Sequence, residues 1–175
     1  MAQPSPHGFQ AGSQRKGPER AGSVKMPTKQ FETLIAADLQ AVWNFHSSAR
    51  ALDELTPPGR KMRWVSKDLT VREGAVHEFQ VKLGPFWVTW KAELSGVVPP
   101  HAFVDTALES PFKSWTHRHE FIARPNGTVV RDTVRYVPPF GIVGALANWL
   151  FLSKDIDRLF AYRHRATSTA LEEKE

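Results

Sequence analysis

The chain has 175 residues, seven histidines and no cysteine, with a formal net charge of +5 at pH 7. Its length suits one domain with a sizeable core, and the lack of cysteine excludes disulfides, thiolate metal ligands and a cysteine nucleophile. The basic residues are scattered without a nucleic-acid-binding motif, and no apolar run approaches the ~20 residues that span a bilayer, so we expect a cytoplasmic protein with no nucleic-acid partner and no transmembrane segment.

Residues 1–28 are rich in Pro, Gly, Ser, Gln and charged residues and contain few bulky apolar ones. Such a segment cannot bury enough surface to offset the entropy lost on ordering. We therefore expect a disordered basic tail over residues 1–28 and a single domain over residues 29–175. Met26 directly precedes the first predicted strand, which leaves open whether residues 1–25 belong to the natural protein.

A strand and two short helices are predicted next. In "KQFETLIAA", Phe31, Thr33 and Ile35 alternate with the neighbouring positions and share one face of a strand. A second short helix is predicted over residues 49–55, and "TPPG" ends it. The first helix begins after the N-cap candidate Asp38, and its residues at helical spacing are Leu39, Val42, Trp43 and His46.

Between Met62 and Val137 every signal is that of a strand, with short Gly, Pro or Asn turns between the runs. Six strands in succession indicate an antiparallel meander. The runs are "MRWVSKDL", "AVHEFQVKL", "FWVTWKAELSGV", "AFVDTAL", "KSWTHRHEFIA" and "TVVRDTVRYV". Alternation predicts inward side chains on the second and third of these runs, namely His77, Phe79, Val81, Leu83, Phe86, Val88, Trp90, Ala92 and Leu94.

The last two strands form a predicted hairpin. Asn126-Gly127 is typical of a two-residue turn, which places Phe121 opposite Asp132 and His117 opposite Tyr136. Pro125 beside the turn is able to lengthen the loop and shift this register. The inward face collects two imidazoles, a carboxylate and a phenol among apolar groups: Trp115, His117, His119, Phe121, Asp132, Val134 and Tyr136. The face of Asp105 depends on the length of the "ESPF" turn and stays open.

After "PPFG" the longest helical pattern of the chain runs from Ile142 to about Leu171, which corresponds to ~40 Å of helix. Its predicted buried stripe consists of Ile142, Leu146, Trp149, Leu150, Ile156, Leu159 and Phe160. The residues predicted to face water are Lys154, Asp155, Arg158, Arg163 and Arg165.

This order of elements predicts an α+β helix-grip fold. In it a curved seven-stranded antiparallel sheet wraps a long C-terminal helix, and two short helices follow the first strand. One helix is too thin to fill the concave side of such a sheet. We therefore expect an internal cavity between the sheet and the helix, lined by the inward faces.

Three stretches carry a resemblance to a known superfamily: "VWNFHSSARALDELTPPG", "FVDTALESPFKSWTHRHEF" and "GTVVRDTVRYVPPFG". From Lys29 to about Ala166 the chain resembles the START-like or SRPBCC superfamily, which includes polyketide cyclase/dehydrase-like proteins, lipid carriers and the birch pollen allergen type. The superfamily has no shared catalytic motif. The subgroup also resembles a module fused to nucleotide-sugar-epimerase-like domains, but this chain has no Gly-rich phosphate loop.

The resemblance and the expected cavity predict binding or transport of a hydrophobic or amphipathic small molecule, such as a lipid, a quinone or a polyketide-like compound, without a cofactor. Two alternatives stay open. One is an enzyme of cyclase, dehydratase or hydrolase type with His117 or His119 as general base. The other is a module that contacts a protein or, transiently, a membrane surface through the basic C-terminal helix. The predicted ligand-binding residues are His77, Phe79, Trp90, Asp105, Trp115, His117, His119, Phe121, Asp132, Val134, Tyr136 and Trp149.

His117 and His119 on one strand face are also compatible with a divalent metal, with Asp132, His77 or Asp105 as a third ligand. Two imidazoles at adjacent positions of one strand face are also common as hydrogen-bonded, half-buried side chains. Because a closed set of ligands cannot be assembled from the sequence, we expect no metal site.

Overall fold

The computed structural model describes residues 26–48, 51–141 and 151–172. The predictions that concern residues 1–25, residues 49–50 and residues 142–150, including the predicted ligand-binding residue Trp149, lie outside the described residues.

A seven-stranded antiparallel sheet is the largest element of the described structure. The elements are β1 Thr28–Ile35, α1 Leu39–His46, α2 Ala51–Glu54, β2 Met62–Trp64, β3 Val76–Leu83, β4 Phe86–Val98, β5 Ala102–Glu109, β6 Ser114–Arg124, β7 Gly127–Val137 and α3 Ser153–Glu172. The strand order is β1-β7-β6-β5-β4-β3-β2, so the first strand pairs with the last. The helix α3 is the predicted C-terminal helix, and the architecture is the predicted α+β helix-grip fold.

The turn between β6 and β7 differs from the prediction. Arg124 pairs with Gly127, so the two turn residues are Pro125 and Asn126. His119 therefore lies opposite Asp132, two residues away from the predicted register. Because side chains alternate with period two, a shift of two residues keeps every side chain on its predicted face.

Gly127 explains this register, because it is needed for the close approach of β7 to β1 and not for the turn itself. Its φ is 130°, and a Cβ atom on it would lie 2.1 Å from the backbone oxygen of Ile35. Only glycine permits β7 to start this close to the end of β1. The glycine of the Asn-Gly pair is therefore the first residue of β7.

Two apolar clusters form the core of the described structure. The first cluster joins α1 to β1 and to β4–β7 through Ile35, Val42, Trp43, Ala75, Leu94, Phe103, Phe121 and Val130. The second cluster packs α3 on β6 and β7 through Trp115, Val134, Tyr136, Ile156 and Phe160. Phe31 of β1 stacks on Phe160 with ring centroids 4.6 Å apart, which holds α3 against the edge of the sheet.

The tip of the β3–β4 hairpin departs from the predicted pattern. Phe86 is 71% exposed and Leu83 is 48% exposed, although both were predicted to face inward. They are pair partners at the tip of the hairpin, beside the turn, where a side chain has fewer neighbours than in the middle of the sheet. Farther along β4, Ala92 and Leu94 are buried as predicted. None of the described helices is long and apolar enough to cross a membrane.

Candidate functional site

A layer of polar side chains separates the two apolar clusters. Along β6, His117 and His119 lie between Trp115 of the second cluster and Phe121 of the first. On β7, Asp132 lies in the same way between Val130 and Val134. We call this set the polar layer, and it consists of Thr33, His46, Asp105, His117, His119, Asp132, His164 and Thr167.

His117 lies between two carboxylates. Its Nε2 is 2.8 Å from Asp132 Oδ1, and its Nδ1 is 3.3 Å from Asp105 Oδ2. Burial alone would lower the pKa of His117, but the two carboxylates outweigh it and raise this pKa to about 9. The imidazole of His117 is therefore protonated at neutral pH when only protein groups surround it, and in that state it is a poor general base.

His119 contacts the same two carboxylates with less complete hydrogen bonding. Its Nε2 is 3.1 Å from Asp105 Oδ2. Its Nδ1 is 3.1 Å from Asp132 Oδ1, but off the direction of a hydrogen bond, so this buried nitrogen has no hydrogen-bond partner among the described residues. The ring stacks on Phe103 at 4.1 Å and lies 3.8 Å from the ring of His117, which fixes its plane.

Asp132 connects the sheet to α3. Its Oδ2 lies 2.8 Å from His164 Nε2, and His164 Nδ1 lies 2.7 Å from Thr33 Oγ1. Burial would raise the pKa of Asp132, but His117, His119 and His164 outweigh it and hold this pKa well below its ordinary value. Asp132 is thus a buried, ionised carboxylate surrounded by three imidazoles.

His164 was not predicted as a site residue, although the sequence contains a signal for it. Ile156, Phe160, His164 and Thr167 repeat at helical spacing, and all four are buried on α3. The predicted stripe ended at Phe160. Continuing it by one turn places a histidine on the buried face, where it needs a polar partner.

His46 completes the layer from α1. Its Nε2 lies 3.4 Å from Thr167 Oγ1, and its ring lies 5.0 Å from that of Phe121. Burial lowers the pKa of His46 to about 3, which the charge of Asp132 only partly opposes. His46 is therefore neutral in the folded protein.

Arg163 contradicts the prediction that it faces water. It is half-buried, its Nε has no hydrogen-bond partner among the described residues, and its Cζ lies 5.3 Å from the ring centroid of Phe160. Burial lowers the pKa of Arg163, while the charges of Asp132 and Asp105 oppose this shift. Arg163 turns inward because the nearby buried carboxylates attract its guanidinium group.

A groove of about 500 Å³ lies between β1 and α3 and reaches the polar layer. Phe31, Phe160 and Ala161 form apolar parts of its wall. Thr33 and His164 belong to both the groove and the polar layer, so a molecule in the groove contacts the buried hydrogen-bond network directly. The remaining lining residues are Glu32, Arg165, Ser168 and Thr169.

The predicted ligand-binding residues fall into three described groups. Asp105 faces inward and contacts His117 and His119, which both lie against Asp132 in the polar layer. His77, Phe79 and Trp90 are half-buried and form a neighbouring aromatic group, which Trp90 joins to Trp115 with ring centroids 5.3 Å apart. The third group is buried in the two apolar clusters and comprises Trp115, Phe121, Val134 and Tyr136. Contact of any of these residues with a ligand stays a prediction.

The sheet, the C-terminal helix and the polar layer between them define a helix-grip protein with a groove beside the helix. Residues 35–163 match the family described as polyketide cyclase / dehydrase and lipid transport. The chain belongs to this family, as the resemblance to the SRPBCC superfamily predicted. No curated protein matches the sequence significantly.

Solved structures of low sequence identity share the fold. Protein Ms6760 from Mycobacterium smegmatis has a TM-score of 0.65 at 19% identity, with 89% of this chain and 97% of that chain covered. The Zhui aromatase/cyclase from a Streptomyces species has a TM-score of 0.68 at 15% identity, with 85% and 95% covered. A nucleoside-diphosphate sugar epimerase from Corynebacterium glutamicum has a TM-score of 0.57 at 23% identity, and the match covers 81% of this chain but 28% of that longer chain.

Proposed function

We propose that this protein binds a hydrophobic or amphipathic small molecule, such as a lipid, a quinone or a polyketide-like compound, between β1 and α3. The observation that carries the proposal is the groove of about 500 Å³, a volume in the range of small-molecule sites. Membership of a family described by polyketide cyclisation and lipid transport supports the same class of ligand.

The chemistry of the groove fits an amphipathic ligand. Phe31, Phe160 and Ala161 offer apolar surface for a hydrocarbon or an aromatic ring. His164 and Arg165 offer polar groups to a carbonyl, hydroxyl or carboxylate at the other end. The half-buried aromatic group around Trp90 is a second surface on which part of a longer ligand would pack.

Ligand titrations of the full chain test this proposal. Anilinonaphthalene sulfonate is the first probe, followed by its displacement with a fatty acid, a quinone and an aromatic polyketide. A bound apolar molecule should raise the melting temperature, because it binds the folded state alone. Ala161→Trp fills the groove and should abolish this rise, whereas Lys154→Trp adds the same ring at an exposed position of α3 outside the groove and should preserve it.

The outcomes distinguish whether a small molecule binds at all from where on the protein it binds. If none of the probes binds, the proposal is wrong. If binding survives Ala161→Trp and is lost in Trp90→Leu, the small molecule binds at the aromatic group and the groove is not the site.

One observation favours an enzyme as the second candidate. His117 or His119 was the base predicted from the sequence, but both nitrogens of His117 face carboxylates, whereas His164 lines the groove and one of its nitrogens faces the hydroxyl of Thr33. With its Nε2–H donated to Asp132, His164 carries a lone pair on Nδ1, which lies towards Thr33 and the groove. This nitrogen would take a proton from a carbon beside a carbonyl. The resulting carbanion would add to a second carbonyl of the same substrate, and the His164 imidazolium would return the proton to the alkoxide formed there. Elimination of this hydroxyl together with a second α-proton would release water.

Incubation with a poly-β-keto thioester mimic tests this candidate, with mass spectrometry reporting the loss of water. The wild type and His101→Gln, which changes an exposed histidine, should form the product. His164→Gln should bind the mimic and leave it unchanged. Equal product formation by His164→Gln excludes His164 as the base.

A further inference from the structure

The ligand atoms of Asp105, His117 and His119 lie within 4.8 Å of one another. Asp105 Oδ2 is 3.3 Å from His117 Nδ1 and 3.1 Å from His119 Nε2. Two ligands that each lie about 2.1 Å from one metal ion are separated by about 3.0 to 3.4 Å in octahedral or tetrahedral geometry. We propose that these three side chains bind one divalent transition-metal ion through two imidazole nitrogens and one carboxylate oxygen.

Asp132 supplies the outer carboxylate that such a site needs. It lies 2.8 Å from Nε2 of His117, the ring nitrogen of His117 that the proposed coordination leaves free. Nδ1 of His119, the other free nitrogen, is 3.1 Å from Asp132 but off the direction of a hydrogen bond. Histidines that bind a metal commonly donate their other N–H to a carboxylate, which fixes the tautomer and the ring orientation. His164 holds Asp132 in turn through a 2.8 Å contact to its second oxygen, so the outer carboxylate is itself fixed.

The donor atoms and the charges select the kind of ion. Imidazole and carboxylate ligands suit zinc or ferrous iron, whereas magnesium and calcium prefer oxygen ligands alone. The carboxylates of Asp105 and Asp132 balance the two positive charges of the ion. Three protein ligands leave further positions open, and the side chain of Asp105 is 21% exposed, so water or a small molecule can approach the ion.

This inference does not depend on the proposed small-molecule function. A direct test uses the full chain after removal of metals with a chelator. Zinc binding is measured by calorimetry, and the visible absorption of bound cobalt reports its coordination. One ion per chain is expected, with a cobalt spectrum typical of nitrogen and oxygen ligands.

Variants separate this site from adventitious binding. His119→Gln and Asp105→Asn remove a ligand and should abolish zinc binding, and Asp132→Asn should weaken it about 10- to 100-fold. His101→Gln, at an exposed histidine outside the polar layer, should leave it unchanged. Arg163→Gln should tighten it, because the charge of Arg163 acts on the same two carboxylates and opposes a cation there.

Two results overturn the inference. The first is the absence of saturable zinc binding by the wild-type chain. The second is zinc binding that survives in folded His119→Gln and Asp105→Asn proteins. If those two variants do not fold, ¹⁵N chemical shifts of the wild-type histidine rings decide the matter. Zinc should shift Nδ1 of His117 and Nε2 of His119, and unchanged shifts at both nitrogens contradict the site.

Discussion

Asp132 Oδ2 and His164 Nε2 lie 2.8 Å apart, although 32 residues separate them in the chain. Their side chains are 4% and 7% exposed, so this contact between β7 and α3 is closed to water. A carboxylate in such a place stays ionised only because imidazoles surround it. The contact ties the C-terminal helix to the sheet through charge as well as through apolar packing.

Removing the charge of Asp132 should destabilise the fold strongly. Asp132→Asn leaves the His117 imidazolium buried with one carboxylate fewer, and breaking a buried pair in this way costs about 3 to 5 kcal/mol of unfolding free energy. Urea unfolding measures the loss. The matched control is Asp155→Asn, which breaks an ion pair with Arg60 whose side chains are 43% and 49% exposed, and it should cost about 0 to 1 kcal/mol. Equal losses in the two variants would contradict a buried charge network.

Stability of the protein without metal should depend on pH in two opposite ways. The pKa of His117 is raised from 6.5 to about 9 by folding, so its contribution is complete below pH 6.5 and is lost as the pH rises through 9. The pKa of His46 is lowered from 6.5 to about 3, so folding opposes its protonation and stability falls as the pH drops below 6.5. Asp105 and Asp132, whose pKa values are depressed, add to the loss in acid. The free energy of unfolding should therefore be highest near pH 6.5.

Melting temperatures measured from acid to alkaline pH with a chelator present check the loss of stability on each side of pH 6.5. His117→Gln should reduce the fall in melting temperature above pH 6.5. His46→Gln should reduce the fall that begins just below pH 6.5. A wild-type stability that rises steadily from pH 6.5 to pH 9 would show that His117 is not charged between the two carboxylates.

Replacement of Gly127 by alanine should weaken the pairing of β1 with β7. The added Cβ atom would lie 2.1 Å from the oxygen of Ile35, which forces the strands apart. Gly59→Ala is the control, because its φ of 89° is also in the left-handed region but no atom lies within 4 Å of the new Cβ. Backbone strain of about 1 to 2 kcal/mol is common to both variants, so the larger loss in Gly127→Ala measures the overlap. Similar unfolding free energies would mean that β1 adjusts freely.

Deletion of residues 1–25 should change stability little. Their composition, rich in Pro, Gly, Ser and charge, predicts no contribution to a packed core. A chain that starts at Met26 should melt within a few degrees of the full chain in differential scanning calorimetry. A large fall in melting temperature would show that the segment docks on the domain.

The alternation of residues along the strands was enough to predict which side chains of the β6–β7 hairpin face inward. It placed His117, His119 and Asp132 on one face, because period-two alternation does not change when the register shifts by two residues. The register itself was not predictable from the turn residues. Contact between Gly127 and Ile35, which are far apart in sequence, decides where β7 begins.

The orientation of Asp105 and the partner of His164 depend on long-range contacts that could not be predicted from the sequence. The orientation of Asp105 follows from the pairing of β5 with β6, which places it beside His117. The partner of His164 follows from how α3 lies on the sheet. A helical pattern marks the buried face of α3, but it does not say which strand residue meets each turn, so His164 and its bond to Asp132 were missed.

The polar layer also determines how far along the sheet α3 can sit. Ile156 and Phe160 are about one helical turn apart, so a slide of α3 by about 5.4 Å would move a different residue into the place where Phe160 stacks on Phe31. The same slide would pull His164 away from Asp132 and leave a buried carboxylate without that partner. The stack of Phe31 on Phe160 and the Asp132–His164 bond therefore select the same position of the helix, one through shape and the other through charge.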